Sequence, residues 1–425
     1  MGNLTSLLVA LAAVGLGISI SYQPLYTAIA VAGMAVILLS VLSPQKTSYL
    51  LLILSAISLL GDQLQLHKLG ILLLSLPAIL RYGMYGKRVA PIAAFTSILV
   101  FTYLLADRPP LLGAMDPLAT FIGMASPFIM LLIRWPKSVA DMHIKLICVL
   151  PLISVFIGFL FEAAGISPLF MNEFTGATRL QGANIPPHLA FLAFMAFMVA
   201  TIEAKRRPDR LVFYYAMMSV NFLILVLTGT RGGLVSLMLM IFIFMYDLTK
   251  QFLKGKSALI IPLFGFAAVL VSSVWLQLDN LKKRSFERAT EVGIDLSGRL
   301  EAWDFFLKGV EGSPWFGKGL GAVLVANDGS LYEGFMVPHN EYIRFYYDGG
   351  IIGAVLLFAS ILYVFRNVIR ENVKELRRYM TVLMLGFLIY SISDNTLSSL
   401  QFTLPLCIYL NASSALSGTV KEKSA

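Results

Sequence analysis

In LVFYYAMMSVNFLILVLTGTRGGLVSLMLMIFIFMYDLTK (residues 211–250) two apolar runs, 211–229 and 232–247, close in on a single arginine, Arg231. Each run is long enough to approach the roughly 30 Å of hydrocarbon in a bilayer. The pair therefore reads as two membrane helices joined by a tight turn. Gly229, Gly232 and Gly233 surround the arginine. Glycines there free the backbone to turn and to present amide N–H groups beside a guanidinium, a pairing that suits a phosphate. The plainer alternative is an arginine that anchors a helix end by snorkelling to lipid headgroups.

Working outward, runs of the same kind recur near 4–20, 25–42, 90–106, 114–133, 144–163, 187–202, 257–276, 340–365, 378–392 and 399–416, with two shorter ones at 48–60 and 69–80. Of the 425 residues 58% are hydrophobic and 13% charged, and the mean hydropathy is +0.79. A soluble domain carries about 25% charge. The expected fold is an all-α polytopic membrane protein with about 12–14 transmembrane helices. It forms one membrane domain over 1–425, with a large periplasmic or extracellular loop at 277–338. Leu4–Ile20 lacks a basic leader and runs straight into the next apolar stretch, so it reads as a first span and not as a signal peptide.

The net charge of +9 does not point to nucleic acid, because most of the 33 Lys and Arg fall in one alternating set of short loops. Examples are Arg134 and Lys137, Lys205 to Arg207, and Arg377 with Arg378. The positive-inside rule makes that set cytoplasmic and places both termini there. Membrane lipid is the partner these charges imply. Cys148 and Cys407 sit inside apolar runs with no partner at a disulfide or metal spacing. There is no HExxH and no DxD, so no metal or other cofactor is expected.

On this topology four isolated arginines share the outer face. They are Arg179 in TGATRLQGANIPPH, Arg231, Arg299 in SGRLEAW, and Arg344 just inside the span that follows His339. A guanidinium fork matches phosphate oxygens bidentately, so such a group favours an anionic ligand, a diphosphate above all. In PHNEYIRFYYDGGIIG (338–353), His339 stands at the mouth of a span and can act as general base toward a hydroxyl near neutral pH. It could equally be an interfacial histidine packed among Tyr342, Tyr346 and Tyr347. His188 follows two prolines and reads as a helix start, while His67 and His143 lack supporting groups.

In the large loop, Leu300, Trp303, Phe306, Leu307 and Val310 fall at helical spacing and predict an amphipathic helix on the outer membrane face. The glycine-rich SPWFGKGLGAVLVANDG that follows predicts an irregular lid or cleft wall. Trp303 and Trp315 could stack on sugar rings or anchor at the interface.

At these residues the chain resembles the O-antigen ligase and O-antigen polymerase family, whose late motif is His, then Asn, Ser or Gln, nine residues, and Gly-x-x-Gly. His339, Asn340, Gly350 and Gly353 fit it. Arg231, and Ser297, Gly298, Arg299 and Trp303, resemble the family's arginine after an outer helix end and its SGR-x-x-x-W stretch. The resemblance covers roughly 179–360. It implies a GT-C-like, inverting, metal-independent glycosyltransferase of the bacterial inner membrane with its active site on the outer face. The donor would be an undecaprenyl-diphosphate-linked glycan, and the acceptor a second lipid-linked glycan or lipid A core. His339 would take the acceptor's proton, Arg231 and Arg299 would hold the diphosphate, and Arg179, Arg344, Asn340 and Trp303 would bind diphosphate or glycan. A chain-length regulator is a further partner to test for. Polymerase is preferred over ligase, and a branch that glycosylates protein remains open. A lipid-linked oligosaccharide transporter is a more remote reading, since neither charged midspans nor an internal repeat is visible.

Overall fold

The computed structural model describes residues 24–57, 64–106, 115–173, 176–257, 260–286, 299–326 and 337–423. The expected span at 4–20 lies outside them, as do Ser297 and Gly298. Every other expected span falls on a helix. Among the described residues six helices are long and apolar enough to cross a membrane: Gly86–Leu104, Lys137–Ala163, Pro186–Arg206, Pro208–Leu227, Arg231–Leu253 and Glu341–Glu371. The chain is an all-α multi-pass membrane protein, with one short antiparallel hairpin among the described residues, Phe170–Asn172 with Thr178–Leu180.

Two of the expected runs are not among these six, each for a physical reason. The run at 48–60 becomes the 11-residue helix Pro44–Leu54, which at 1.5 Å per residue reaches only about half the hydrocarbon thickness. Leu400–Lys423, by contrast, has the length but too little hydropathy, because it lies inside the bundle and uses polar side chains there. Asn411 donates to the carbonyls of Met130 and Ile133, the second at 2.8 Å, and the Ser413 and Ser417 hydroxyls donate to Asn372 Oδ1, both at 2.7 Å. Within a bundle such bonds replace the water that hydrocarbon cannot supply.

Pro186–Arg206 is the other interior helix, with every residue from Leu189 to Ala204 buried. Its sequence, Phe and Met alternating with Ala and lacking a polar face, is that of a helix covered on all sides. The outer helices show two apolar stripes instead. On Arg231–Leu253, Gly233, Leu237, Met240, Phe244 and Leu248 face inward. On its far side Val235, Met238 and Phe242 are more than half exposed. A second exposed stripe would drive association in water and is at home in lipid.

Charged contacts divide the helix ends. At one end Arg88 pairs with Glu371, Arg206 donates to Ser413 O (2.9 Å), and Asp247 accepts from Lys205 and Arg378 (3.4 and 3.3 Å). The opposite ends of the same helices, at 186, 231, 341 and 400, converge on His339.

Candidate active site

His339 is held in an unusual backbone state. Its φ of 47° makes it the one non-glycine residue in the left-handed region among the described residues. That conformation costs about 1–3 kcal/mol and persists only where neighbours enforce it. On one side the Trp303 indole N–H donates to the Pro338 carbonyl at 2.8 Å. On the other, the Asn340 side-chain oxygen caps helix Glu341–Glu371 by accepting from the amides of Tyr342 (3.0 Å) and Ile343 (3.2 Å). Both Trp303 and Asn340 thus have a structural task the sequence reading did not foresee.

The segment 391–399, between helices Lys374–Tyr390 and Leu400–Lys423, is clamped to the same helix start. Glu341 N–H donates to Ser391 O at 2.9 Å, and the Glu341 carboxylate accepts from the amides of Leu397 (2.6 Å) and Ser398 (3.0 Å). Arg344, buried, donates to Ser398 Oγ at 2.6 Å. Its observed contact therefore braces this segment. The clamp sets Asp394 Oδ1 3.3 Å from His339 Nδ1. Burial raises the Asp394 carboxyl. The hydrogen bond and charge of His339, with the charge of Arg299, outweigh burial and hold it below the usual carboxylate range. An ionised carboxylate only accepts, so in this contact Nδ1 carries the proton.

Arg231 opens its helix, and the turn before it is built by Arg179. Gly229 takes φ 63°. From the hairpin, Arg179 donates through Nε to Thr228 O (2.7 Å) and through a terminal nitrogen to Thr230 Oγ1 (3.1 Å), while its other terminal nitrogen pairs with Glu173 (2.6 Å). These contacts make Arg179 a brace for the turn that presents Arg231. Gly232 and Gly233 lie within the helix, where they allow close packing: a Cβ on Gly232 would fall 2.0 Å from Ser393 Oγ, and one on Gly233 3.0 Å from the Tyr390 hydroxyl. The glycine pair thereby seats Arg231 beside Asp394's segment. Arg299 begins its own helix, Arg299–Gly309, and interacts electrostatically with Asp394. His188, in the first turn of the central helix, interacts with both Asp394 and His339. Among the described residues no three His, Cys, Asp or Glu side chains could hold a metal ion.

The glycines of the late motif serve a joint. Helix Glu341–Glu371 breaks at Gly350 (φ 62°, ψ −169°). The glycine-rich segment from 313 enters the break and completes its backbone bonding. Lys318 and Gly319 amides donate to the carbonyls of Tyr347 (2.9 Å) and Asp348 (2.8 Å), and Ile351 and Ile352 amides donate to Pro314 O (2.9 Å) and Trp315 O (3.2 Å). The Asp348 carboxylate accepts from the amides of Gly321 and Val323, both at 3.0 Å. A Cβ on Gly350 would lie 2.3 Å from the Trp315 backbone. The preceding helix docks here by Ala302, Phe306 and Val310, with Phe306 edge-on to Tyr347 at 5.5 Å. Leu300 and Leu307 point outward.

The sequence model of the O-antigen ligase family matches residues 215–358, the stretch that holds Arg231, Arg299, Trp303, His339, Asn340, Arg344, Gly350 and Gly353. Over those residues the chain is similar to the O-antigen ligase family. No curated protein matches the chain. That similarity points to an activity of the O-antigen ligase or polymerase type. Arg179 and Asp394 lie outside the matched stretch. Asp394 is the site residue that the sequence reading missed; the available signal was an acidic residue in the short polar gap between the last two spans, on the face already assigned to the arginines.

Proposed function

We propose that the protein is an inverting, metal-independent glycosyltransferase that uses an undecaprenyl-diphosphate-linked oligosaccharide as donor and polymerises O-antigen or similar surface-polysaccharide repeats. The observation that carries this reading is His339 Nδ1 against the ionised Asp394, which leaves Nε2 to accept a proton. In the transfer step Nε2 takes the proton of an acceptor hydroxyl as its oxygen bonds to the donor's anomeric carbon. The bond from that carbon to the diphosphate oxygen breaks on the opposite face, and its electron pair leaves with the lipid diphosphate. Asp394 stabilises the imidazolium, and Arg231 and Arg299 stabilise charge growing on the leaving group. The diphosphate carries its own activation, so the step requires no metal or nucleotide sugar.

The separation of charges supports an outer-face site. Helix Leu400–Lys423 runs from the His339 end to the basic end, which gives a cytoplasmic C-terminus under the positive-inside rule. Transfer of the finished glycan to lipid A core is the alternative, because donor site and base would be the same. Purified protein incubated in chelator with lipid-linked repeats alone should build a ladder of longer lipid-linked glycans. Product only after addition of lipid A core would assign the ligase instead. In either assay Arg231→Lys should lose activity, since a point charge cannot replace the planar fork.

A further inference from the structure

Tyr390, the last residue of helix Lys374–Tyr390, has a feature that packing does not explain. Its ring is fully buried among Phe191, Phe194 and Phe402, with centroids 5.0, 5.3 and 6.1 Å away. Phenylalanine would serve that aromatic box equally well. The hydroxyl is buried and has no hydrogen-bond partner among the described residues. Leaving such a donor unmade costs stability, so a fold that keeps it gains something else from it.

The hydroxyl points at the start of helix Arg231–Leu253, 3.0 Å from where a Cβ on Gly233 would lie. Thr230, at the N-cap, makes no side-chain capping bond. The first-turn amides of a helix have no acceptor within it and favour anions. Asp394, Arg179 and Arg299 all interact electrostatically with the tyrosine.

We infer that the Tyr390 hydroxyl and the amides of Gly232 and Gly233 form a phosphate subsite, in which the hydroxyl donates to an oxygen of the leaving diphosphate. This rests on the glycosyltransferase reading for the identity of the anion. The geometry by itself sets a buried phenol donor beside the start of a helix. Negative charge grows on the diphosphate as the glycosidic bond breaks, so the donated hydrogen bond strengthens in the transition state and acts mainly on kcat.

The test is Tyr390→Phe in the purified full-length protein, read three ways: melting temperature without ligand, the rise in melting temperature with inorganic pyrophosphate in chelator, and transfer from the undecaprenyl-diphosphate-linked donor. Removing an orphan donor should leave the ligand-free melting temperature unchanged or raise it. The pyrophosphate-induced rise should shrink and kcat should fall ten- to hundredfold, with a smaller change in KM. Pyrophosphate response and kcat within twofold of the parent would overturn the inference. A clear drop in ligand-free melting temperature would also overturn it, because the hydroxyl would then have a partner in the fold. If the parent protein transfers nothing while its pyrophosphate response is lost in Tyr390→Phe, the subsite stands and the glycosyltransferase reading falls.

Discussion

Asp394 does its work through distance and charge. Its carboxylate accepts the Asn395 amide at 2.9 Å and faces His339 Nδ1 at 3.3 Å, long for a charge-assisted bond but within the range seen before substrate tightens a site. Asp394→Asn keeps the shape but can donate to Nδ1, which favours the tautomer with its proton on Nε2. Transfer should drop by on the order of 10²–10⁴-fold while the protein still binds the lipid diphosphate; a transfer assay beside a binding assay checks this. The depressed carboxyl also sets a pH response. The folded value lies below the unfolded one, so the stability this pair adds is present above about pH 4, the usual aspartate value, and is lost as pH falls through the folded value. At this scale the candidate site was partly legible. His339 and Arg231 stand out because an isolated histidine at a span mouth and a lone arginine between apolar runs are rare. Arg179 and Arg344 look the same in sequence, and only the fold shows that Arg179 also bonds Thr228, Thr230 and Glu173 and Arg344 also bonds Ser398. Tyr390 reads as the end of an apolar run, and nothing local distinguishes its hydroxyl.

Among the elements, the broken helix Glu341–Glu371 links the 313–326 segment to the loop that carries His339. Its first turn carries Asn340 and the clamp on Asp394's segment, and two turns later Gly350 opens it to the 313–326 segment. Gly350→Ala forces φ +62° on a residue with a Cβ and drives that Cβ into the Trp315 backbone. The expected result is destabilisation by at least about 2 kcal/mol together with faster proteolysis within 313–326, measured by melting temperature and limited digestion. Helices were the most legible feature, because unbroken apolar runs mark them directly. The half-length helix Pro44–Leu54 was not, since hydropathy cannot tell a full span from a short helix packed beside one. The joint at Gly350 was visible only as a glycine spacing. Its cause is the close passage of a distant backbone, which no local pattern encodes. The predicted amphipathic helix at 299–309 exists, but it buries Ala302 and Phe306 on the protein and turns Leu300 and Leu307 out.

For the whole molecule, two interior helices set the plan. Pro186–Arg206 and Leu400–Lys423 run through the bundle, each with one end at the basic face and the other near His339. Hydropathy alone could not identify them as interior, because one is uniformly apolar and the other is polar enough to fall short of a span. The asymmetry of charge was legible, since the basic loops and the isolated arginines alternate along the chain. The structure then gathers Arg88, Arg206 and Arg378 at one end and places His339, Asp394, Arg231 and Arg299 at the other.

The measurement that tests the account most directly compares the parent protein with His339→Ala. Both would be purified in detergent and given undecaprenyl-diphosphate-linked repeats in chelator, with lipid diphosphate binding measured on the same samples. The account predicts a product ladder from the parent, and none from His339→Ala despite undiminished binding. Transfer by His339→Ala at the parental rate, or loss of binding together with activity, would contradict His339 as the general base.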